Sequence, residues 1–137
     1  MRLASTLAIL ALGCAAEVPS AELGTGLDAF EPLAEGQPLP MVPGAQGGFH
    51  LWLSVRAGRA RAITLIAAPV EAGRPRQDLR LGEGAPRVGI PFVLSSPECF
   101  VDRDVQLELE VDDGAAILRD RVRVRPFGDV PGECAAR

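Results

Sequence analysis

The sequence predicts an all-β fold, an antiparallel β-sandwich of about seven short strands. Apolar and polar residues alternate along Gly47–Arg56, which is the period of two typical of a half-buried strand. Further alternating segments follow at near-regular spacing, separated by Gly- and Pro-rich turns. No convincing helix interrupts this series, so we expect two packed sheets around one core.

The predicted strands follow in order along the chain. Residues 39–42 are expected to form an edge strand, because Pro is tolerated at the edge of a sheet. The strand at Gly47–Arg56 comes next and holds the single His and the single Trp of the chain. Later strands are expected at residues 60–70, 78–81, 88–94, 105–111 and 115–125, and Pro91 places the 88–94 strand at an edge or a bulge.

The last two strands are predicted to form a hairpin around Asp113-Gly114, a strong two-residue turn sequence. This turn pairs Asp112 with Ala115. The same register points Asp120 inward beside Leu107, so we expect a bulge that returns this carboxylate to solvent.

Charges on the predicted hairpin complement each other. The register places Glu108 opposite Arg119 and Asp104 opposite Arg123, and cross-strand pairs of opposite charge stabilise a sheet. The row of arginines is therefore interpreted as a solvated, internally paired face rather than an anion-binding site. Its members are Arg119, Arg121, Arg123 and Arg125.

Residues 1–13 predict an export signal, and a cysteine follows it directly. Met1-Arg2 supplies a short positive region, and the apolar run Leu3–Leu12 is too short to span a bilayer as a helix. With Gly13-Cys14 this segment resembles a bacterial lipoprotein signal with its lipobox, although Ala11 stands where a large aliphatic residue is usual. The alternative is an ordinary secretory signal cleaved one or two residues after Cys14.

The lipoprotein resemblance implies a lipid anchor and a cellular location. Cys14 would carry a diacylglyceryl thioether and an N-acyl chain, and more than one chain gives stable membrane attachment. Residue 15 is Ala rather than the Asp that retains enteric lipoproteins at the inner membrane. We therefore expect a protein that is anchored at the cell envelope, in the outer membrane or at the cell surface.

Residues 14–38 are predicted to be a flexible acidic tether, and residues 39–137 the folded domain. The segment is rich in Pro and Gly, and neither Lys nor Arg occurs between Cys14 and Arg56. Its acidic residues are Glu17, Glu22, Asp28, Glu31 and Glu35.

A disulfide between Cys99 and Cys134 is predicted. If Cys14 is acylated, these two of the three cysteines remain, and an exported domain folds in an oxidising compartment. The stretch Pro126–Gly132 provides slack for Cys134 to return to the open end of the hairpin. We expect the two Cα atoms to lie within about 7 Å of each other.

The sequence offers little material for catalysis or for a cofactor. A nucleophile elbow and a phosphate-binding Gly-rich loop are both missing from the printed sequence. One His and two paired cysteines provide too few ligands for zinc or copper. We expect a non-enzyme without a cofactor or a bound metal; calcium held by Glu98, Asp102 and Asp104 is the one alternative.

His50 and Trp52 share one face of their predicted strand and form a candidate partner patch. If that face is not in the core, it could meet a protein partner or a glycan. The alternative interpretation places Trp52 in the core between the sheets or beneath the tether. A formal charge of −4, without a basic cluster, argues against nucleic acid as a partner.

The hairpin sequence LELEVDDGAAILRDRVRVRP is similar to the closing strands of bacterial immunoglobulin-like modules of the polycystic-kidney-disease type. The signal, the acidic segment and the strand GAQGGFHLWLSVR together resemble uncharacterised lipoproteins of delta-proteobacterial type. These resemblances imply an immunoglobulin-like sandwich that is anchored at the membrane and acts in binding or structural support. The alternatives are an accessory subunit of an envelope or secretion complex and, with six aromatic residues and no Tyr, a carbohydrate-binding module.

Overall fold

The computed structural model describes residues 20–58, 60–68, 75–80 and 87–135. Across these ranges the chain forms ten strands and one 3₁₀ turn at Pro97–Cys99. The strands make two five-stranded sheets that pack around a shared core, so the all-β sandwich predicted from the sequence is confirmed. The predicted signal at residues 1–13 and the anchor residue Cys14 lie outside the described residues.

The first sheet is organised around one long strand that pairs with three others. Its strands, numbered in chain order with those of the second sheet, are β1 (Ala21–Thr25), β2 (Glu31–Pro32), β4 (Val42–Pro43), β5 (Phe49–Ala57) and β8 (Ile90–Leu94). Strand β5 is antiparallel to β1, β4 and β8, and β2 adds to the outer edge of β1. Because both β4 and β8 pair with Phe49 and His50, they lie on opposite sides of β5.

The second sheet runs in the order β3, β10, β9, β6, β7. Its strands are β3 (Gln37–Pro40), β6 (Ala62–Ala68), β7 (Arg76–Arg80), β9 (Val105–Asp112) and β10 (Ile117–Phe127). All neighbours are antiparallel except β3 and β10, which are parallel. The fold is therefore mixed rather than purely antiparallel.

The core between the sheets is built from alternating residues of the longer strands. Leu51 and Leu53 of β5 face inward, as do Leu107 and Leu109 of β9, and all four are almost fully buried. Burial of each such side chain stabilises the fold by about 1.5–3 kcal/mol. The alternation that predicted these strands is thus the alternation between core and outer face.

The predicted tether is wrong over its described part, because β1, β2 and half of β3 lie within residues 20–38. Leu23 is buried and pairs with Val55 of β5. The acidic residues do not prevent the segment from packing on the sandwich, because they find basic partners there. Glu22 pairs with Arg56, and Glu35 lies 3.6 Å from Arg123. Prolines are accommodated because β2 and β3 are edge strands, where a missing N–H is tolerated.

The single edge strand predicted at residues 39–42 is instead two strands in different sheets. Strand β3 ends at Pro40 and belongs to the second sheet, whereas β4 begins at Val42 and belongs to the first. Met41 lies between them, buried, and its N–H donates a 2.8 Å hydrogen bond to the carbonyl of Phe127. The buried side chain and this hydrogen bond fix the crossing point.

The hairpin register also differs from the prediction by two residues. Asp112 pairs with Ile117 rather than with Ala115, so the turn has four residues, Asp113–Ala116. Asp113 Oδ1 accepts hydrogen bonds from the N–H groups of Ala115 and Ala116, at 2.8 and 2.7 Å. These side-chain bonds stabilise the longer turn.

A shift of two residues keeps every side chain on its predicted face but changes the charge pairs. Arg119 now lies opposite Glu110, at 3.3 Å between Nη2 and Oε2. Asp120 stays inward, opposite Leu109, and the ladder runs without a bulge. The predicted bulge is wrong because the carboxylate of Asp120 is satisfied where it is, by the N–H groups of Leu23 and Arg121.

Candidate functional site

The outer face of the first sheet carries the residues that the sequence singled out. Because Leu51 and Leu53 point into the core, His50 and Trp52 point outward. His50 lies between Val42 and Val93 on the neighbouring strands, and Trp52 lies beside Pro91. We call this surface the His50–Trp52 face; it consists of Val42, His50, Trp52, Pro91 and Val93.

Trp52 is half-buried on this outer face, so the alternative that places it between the sheets is wrong. Its indole packs against the imidazole of His50 in a T-shaped arrangement, with 4.5 Å between ring centroids and 84° between planes. The pair forms one aromatic unit of the kind that stabilises by about 0.5–1.5 kcal/mol beyond simple burial.

The imidazole of His50 also packs beneath the loop that precedes β5. A methyl group at Gly44 would lie 3.6 Å from Nδ1 of His50, which shows how closely the loop passes. Nε2 of His50 is buried and has no hydrogen-bond partner among the residues that the structure describes. Gly47 in this loop has φ 82°, a conformation that favours glycine, as the Gln46-Gly47-Gly48 sequence indicates.

A shallow recess of about 450 Å³ opens where this loop meets the face. It is lined by residues of the loop, among them Gly44 and Gln46, and by Phe49, His50 and Val93. The lining is mostly apolar and contains no Asp, Glu, Lys or Arg, so it fits an apolar or weakly polar surface better than an ion.

Buried polar groups hold the middle of β5 in place beneath the loop that follows β1. Ser54 is outward-facing yet 0% exposed, and its hydroxyl donates to the carbonyl of Gly26 at 3.0 Å. The N–H of Gly89 bonds the same carbonyl at 3.1 Å. Thr25 Oγ1 donates to the carbonyl of Trp52 at 2.6 Å, so the backbone under the aromatic pair is fixed.

The same loop extends the apolar surface beyond the His50–Trp52 face. The ring of Phe30 lies on Gly24, where a Cβ would approach it to 2.4 Å, so only glycine fits there. The guanidinium of Arg56 lies over the Phe30 ring, with its central carbon 4.4 Å from the ring centroid, and forms an ion pair with Glu22. Sequence reasoning missed this cluster because it assigned residues 14–38 to a tether.

The two most exposed large apolar side chains of the described ranges lie near this surface. Leu27, in the loop after β1, is 56% exposed, and Val93 is 59% exposed. Two other large apolar side chains of the described ranges are comparably exposed, Ile117 at 48% and Phe127 at 46%, and both belong to β10 of the second sheet.

Cys99 and Cys134 form the predicted disulfide, with 4.6 Å between their Cα atoms. Cys99 is buried at the end of the 3₁₀ turn, and Cys134 lies in the irregular segment after β10. The bond holds this segment against the sandwich, at the end where β9 begins.

The calcium alternative is not supported by the arrangement of acidic residues. Among the residues that the structure describes, no three His, Cys, Asp or Glu side chains are grouped so that they could hold a metal ion. Glu98, Asp102 and Asp104 are therefore not assembled into a site.

The arginine row is exposed on the outer face of the second sheet and engages acidic neighbours. Arg119 pairs with Glu110, and Arg123 pairs with Glu35. A recess beside Arg119 and Arg121 is also lined by Glu108 and Glu110, so both signs of charge are present. This mixed charge agrees with a solvated, internally paired face.

The chain matches no protein family model, no curated protein and no solved structure. Within the described ranges, no helix has the length and apolar character needed to cross a bilayer. The assignment of function therefore depends on the residues and the geometry given above.

Proposed function

We propose that this protein is a lipoprotein of the cell envelope, anchored through Cys14, whose sandwich acts in binding or structural support without catalysis. The observation that carries the proposal is the position of Cys14, which follows Gly13 after a mostly apolar run of ten residues, Leu3–Leu12, that begins after Met1-Arg2. The disulfide supports export, because such bonds persist in oxidising compartments. It also uses the other two cysteines, which leaves Cys14 for the lipid.

The geometry around His50 supports a non-catalytic role. A general base must come within hydrogen-bond reach of the proton that it removes. The imidazole instead packs against Trp52 and beneath the Gly44 loop, and its buried Nε2 meets no hydrogen-bond partner in the described part of the chain. This arrangement suits packing and surface formation rather than proton transfer.

The sheet edges support binding through a face rather than by strand addition. The edge strands β2, β3, β4 and β8 each contain proline, and β7 carries Arg76, Asp78 and Arg80. Proline and charge at an edge both oppose pairing with another strand. The His50–Trp52 face is the apolar surface that remains for a partner.

The test of anchoring is Cys14→Ser in the full-length chain, compared with the neighbouring substitution Ala15→Ser. Wild type and Ala15→Ser are expected in the detergent-extracted membrane fraction, with a mass that includes acyl chains. Cys14→Ser is expected to be soluble or to retain its signal, without acyl mass. If Cys14→Ser keeps the fractionation and mass of the wild type, the proposed anchor is wrong.

Purification of the anchored protein from its own membranes tests the mode of action. Recovery of the sandwich without a stoichiometric protein supports a module that acts alone. A partner recovered in equal amount would instead support the accessory-subunit alternative.

A further inference from the structure

The first strand lies close to the proposed anchor in the sequence. Strand β1 begins at Ala21, and Ser20 is the first described residue. Five residues lie between Cys14 and Ser20, so the six steps of the link can span at most about 20–22 Å even when fully extended. A sandwich anchored at Cys14 is therefore held near the bilayer surface, not at the end of a long spacer.

The link also enters the sandwich on a defined side. Ala21 pairs with Ala57 at the end of β5, so the chain joins the first sheet. The outer face of that sheet includes the His50–Trp52 face. From Ala57 to Trp52 the distance along β5 is about 17 Å by strand rise, within the span of the link.

The two outer faces of the sandwich differ in chemistry. On the first sheet, Leu27 and Val93 are more than half exposed, and the charges of Arg56 and Glu22 are paired with each other. On the second sheet, Ile117 and Phe127 at the two ends of β10 are also about half exposed. The outer positions between them are all arginine, and charged pairs such as Arg76 with Asp78 and Arg119 with Glu110 cover the same face. Transfer of charged groups towards lipid is costly, so the first sheet is the side suited to a bilayer.

We propose that the first sheet lies against the headgroup region of the bilayer that holds Cys14. The contact surface is the His50–Trp52 face together with Leu27 and Phe30. Trp52 suits this position, because an indole combines an apolar ring with a polar N–H and is enriched at membrane interfaces. This inference rests on the proposed anchoring through Cys14 and names the partner of the face as lipid.

Trp52 is the single Trp of the chain, so its fluorescence reports on this surface alone. The acylated full-length protein is reconstituted in phosphatidylcholine vesicles, with or without lipid brominated on the acyl chains near the headgroup. Contact with the interface is expected to cause a clear loss of Trp52 emission in the brominated vesicles relative to the unbrominated ones, because an interfacial indole lies beside the brominated positions. Emission that is equal in both vesicles, with the protein bound to them, would overturn the proposal while leaving the anchor intact.

Charged variants test which face makes the contact. The double substitution Leu27→Glu and Val93→Glu is expected to abolish most of the quenching, while the acylated protein still sediments with the vesicles. The matched control is Ile117→Glu with Phe127→Glu on the second sheet, which should leave the quenching unchanged. Equal quenching in both variants would contradict the assignment of the face, and near-ultraviolet circular dichroism checks that each variant is folded.

Two further outcomes separate this inference from the proposed function. A protein without acyl chains on Cys14, which fails to bind vesicles, would overturn both. Shielding of Trp52 from aqueous acrylamide in native membranes, but not in lipid vesicles, would show that a membrane protein covers the face and that lipid is the wrong partner.

Discussion

The backbone N–H of Leu23 donates a 2.7 Å hydrogen bond to Oδ2 of Asp120, across the two sheets and 97 positions along the chain. The other oxygen of the same carboxylate accepts from the N–H of Arg121 at 2.8 Å. Asp120 occupies an inward position opposite Leu109, where an apolar residue is the rule. Its two acceptor bonds explain why an acidic side chain is tolerated there and fasten β1 to the second sheet.

Substitution of Asp120 by Ala is expected to destabilise the domain. The change leaves a part-buried N–H without its acceptor, which costs about 1–3 kcal/mol. Asp120→Asn keeps one acceptor oxygen and should lose less. The free energy of unfolding in urea measures both effects, and faster hydrogen exchange at the amide of Leu23 locates them.

Asp104→Ala is the control for charge, because it also removes an aspartate carboxylate, but from an exposed position just before β9. We expect its unfolding midpoint to stay close to that of the wild type. A midpoint for Asp120→Ala that equals the one for Asp104→Ala would show that the bond to Leu23 contributes nothing to stability.

Loss of the disulfide is expected to cost a large share of the stability. Cys99 and Cys134 enclose a loop with a sequence separation of 35. Closing a loop of this length stabilises by about 3–4 kcal/mol in the chain-entropy model. The double variant Cys99→Ser with Cys134→Ser should therefore unfold at a much lower urea concentration.

A reductant provides the matched comparison for the disulfide. It should lower the unfolding midpoint of the wild type to that of the double variant, and it should leave the double variant unchanged. A wild-type midpoint that does not respond to full reduction would contradict the stabilising role of the bond.

Asp78 on β7 is expected to titrate below its ordinary range. Hydrogen bonds from Arg76 and Thr64 to its carboxylate lower its pKa from the usual value of 3.8, with Arg76 the larger cause. The folded-state pKa is thus below the unfolded value. The resulting stabilisation is present at pH above the ordinary pKa and is lost as the pH falls through the lowered one.

Variants at the two donors test this assignment by titration of the Asp78 carboxyl carbon in NMR spectra. Arg76→Gln should raise the pKa of Asp78 towards 3.8, and Thr64→Val should raise it by less. Thr64→Ser retains the hydroxyl donor and should keep the pKa low. An unchanged pKa in Arg76→Gln would show that the contact is not maintained in solution.

The long strands could be predicted because their cause is local. Along Phe49–Ala57 and Val105–Asp112 the side chains alternate between the core and the outer face. The sequence shows this directly as an alternation of apolar and polar residues. The shared outward direction of His50 and Trp52 follows from the same pattern. For these elements the sequence and the structure agree.

Strand β1 could not be predicted because its partners are distant in the sequence. Five residues rich in small and polar types show little periodicity. They become a strand through pairing with β5, the ion pair of Glu22 with Arg56 and the bond from Leu23 to Asp120. The Leu27 and Phe30 part of the candidate surface was missed for the same reason.

The hairpin register depends on whether the turn has two residues or four. Asp113-Gly114 is compatible with a two-residue turn, and Gly114 does adopt a positive φ of 89°. The side chains of Asp112 and Asp113 instead bond three backbone N–H groups and stabilise a four-residue turn. Turn length was therefore decided by side-chain hydrogen bonds that the dipeptide alone does not reveal.

The crossing at Met41 couples the motions of the two sheets. Within seven residues, Gln37–Pro43, the chain pairs first with β10 and then with β5, and no flexible loop separates the two ladders. One sheet cannot slide or rotate over the other without breaking hydrogen bonds at this segment. This segment therefore ties the two sheets together through the backbone itself, independently of the side-chain packing between them.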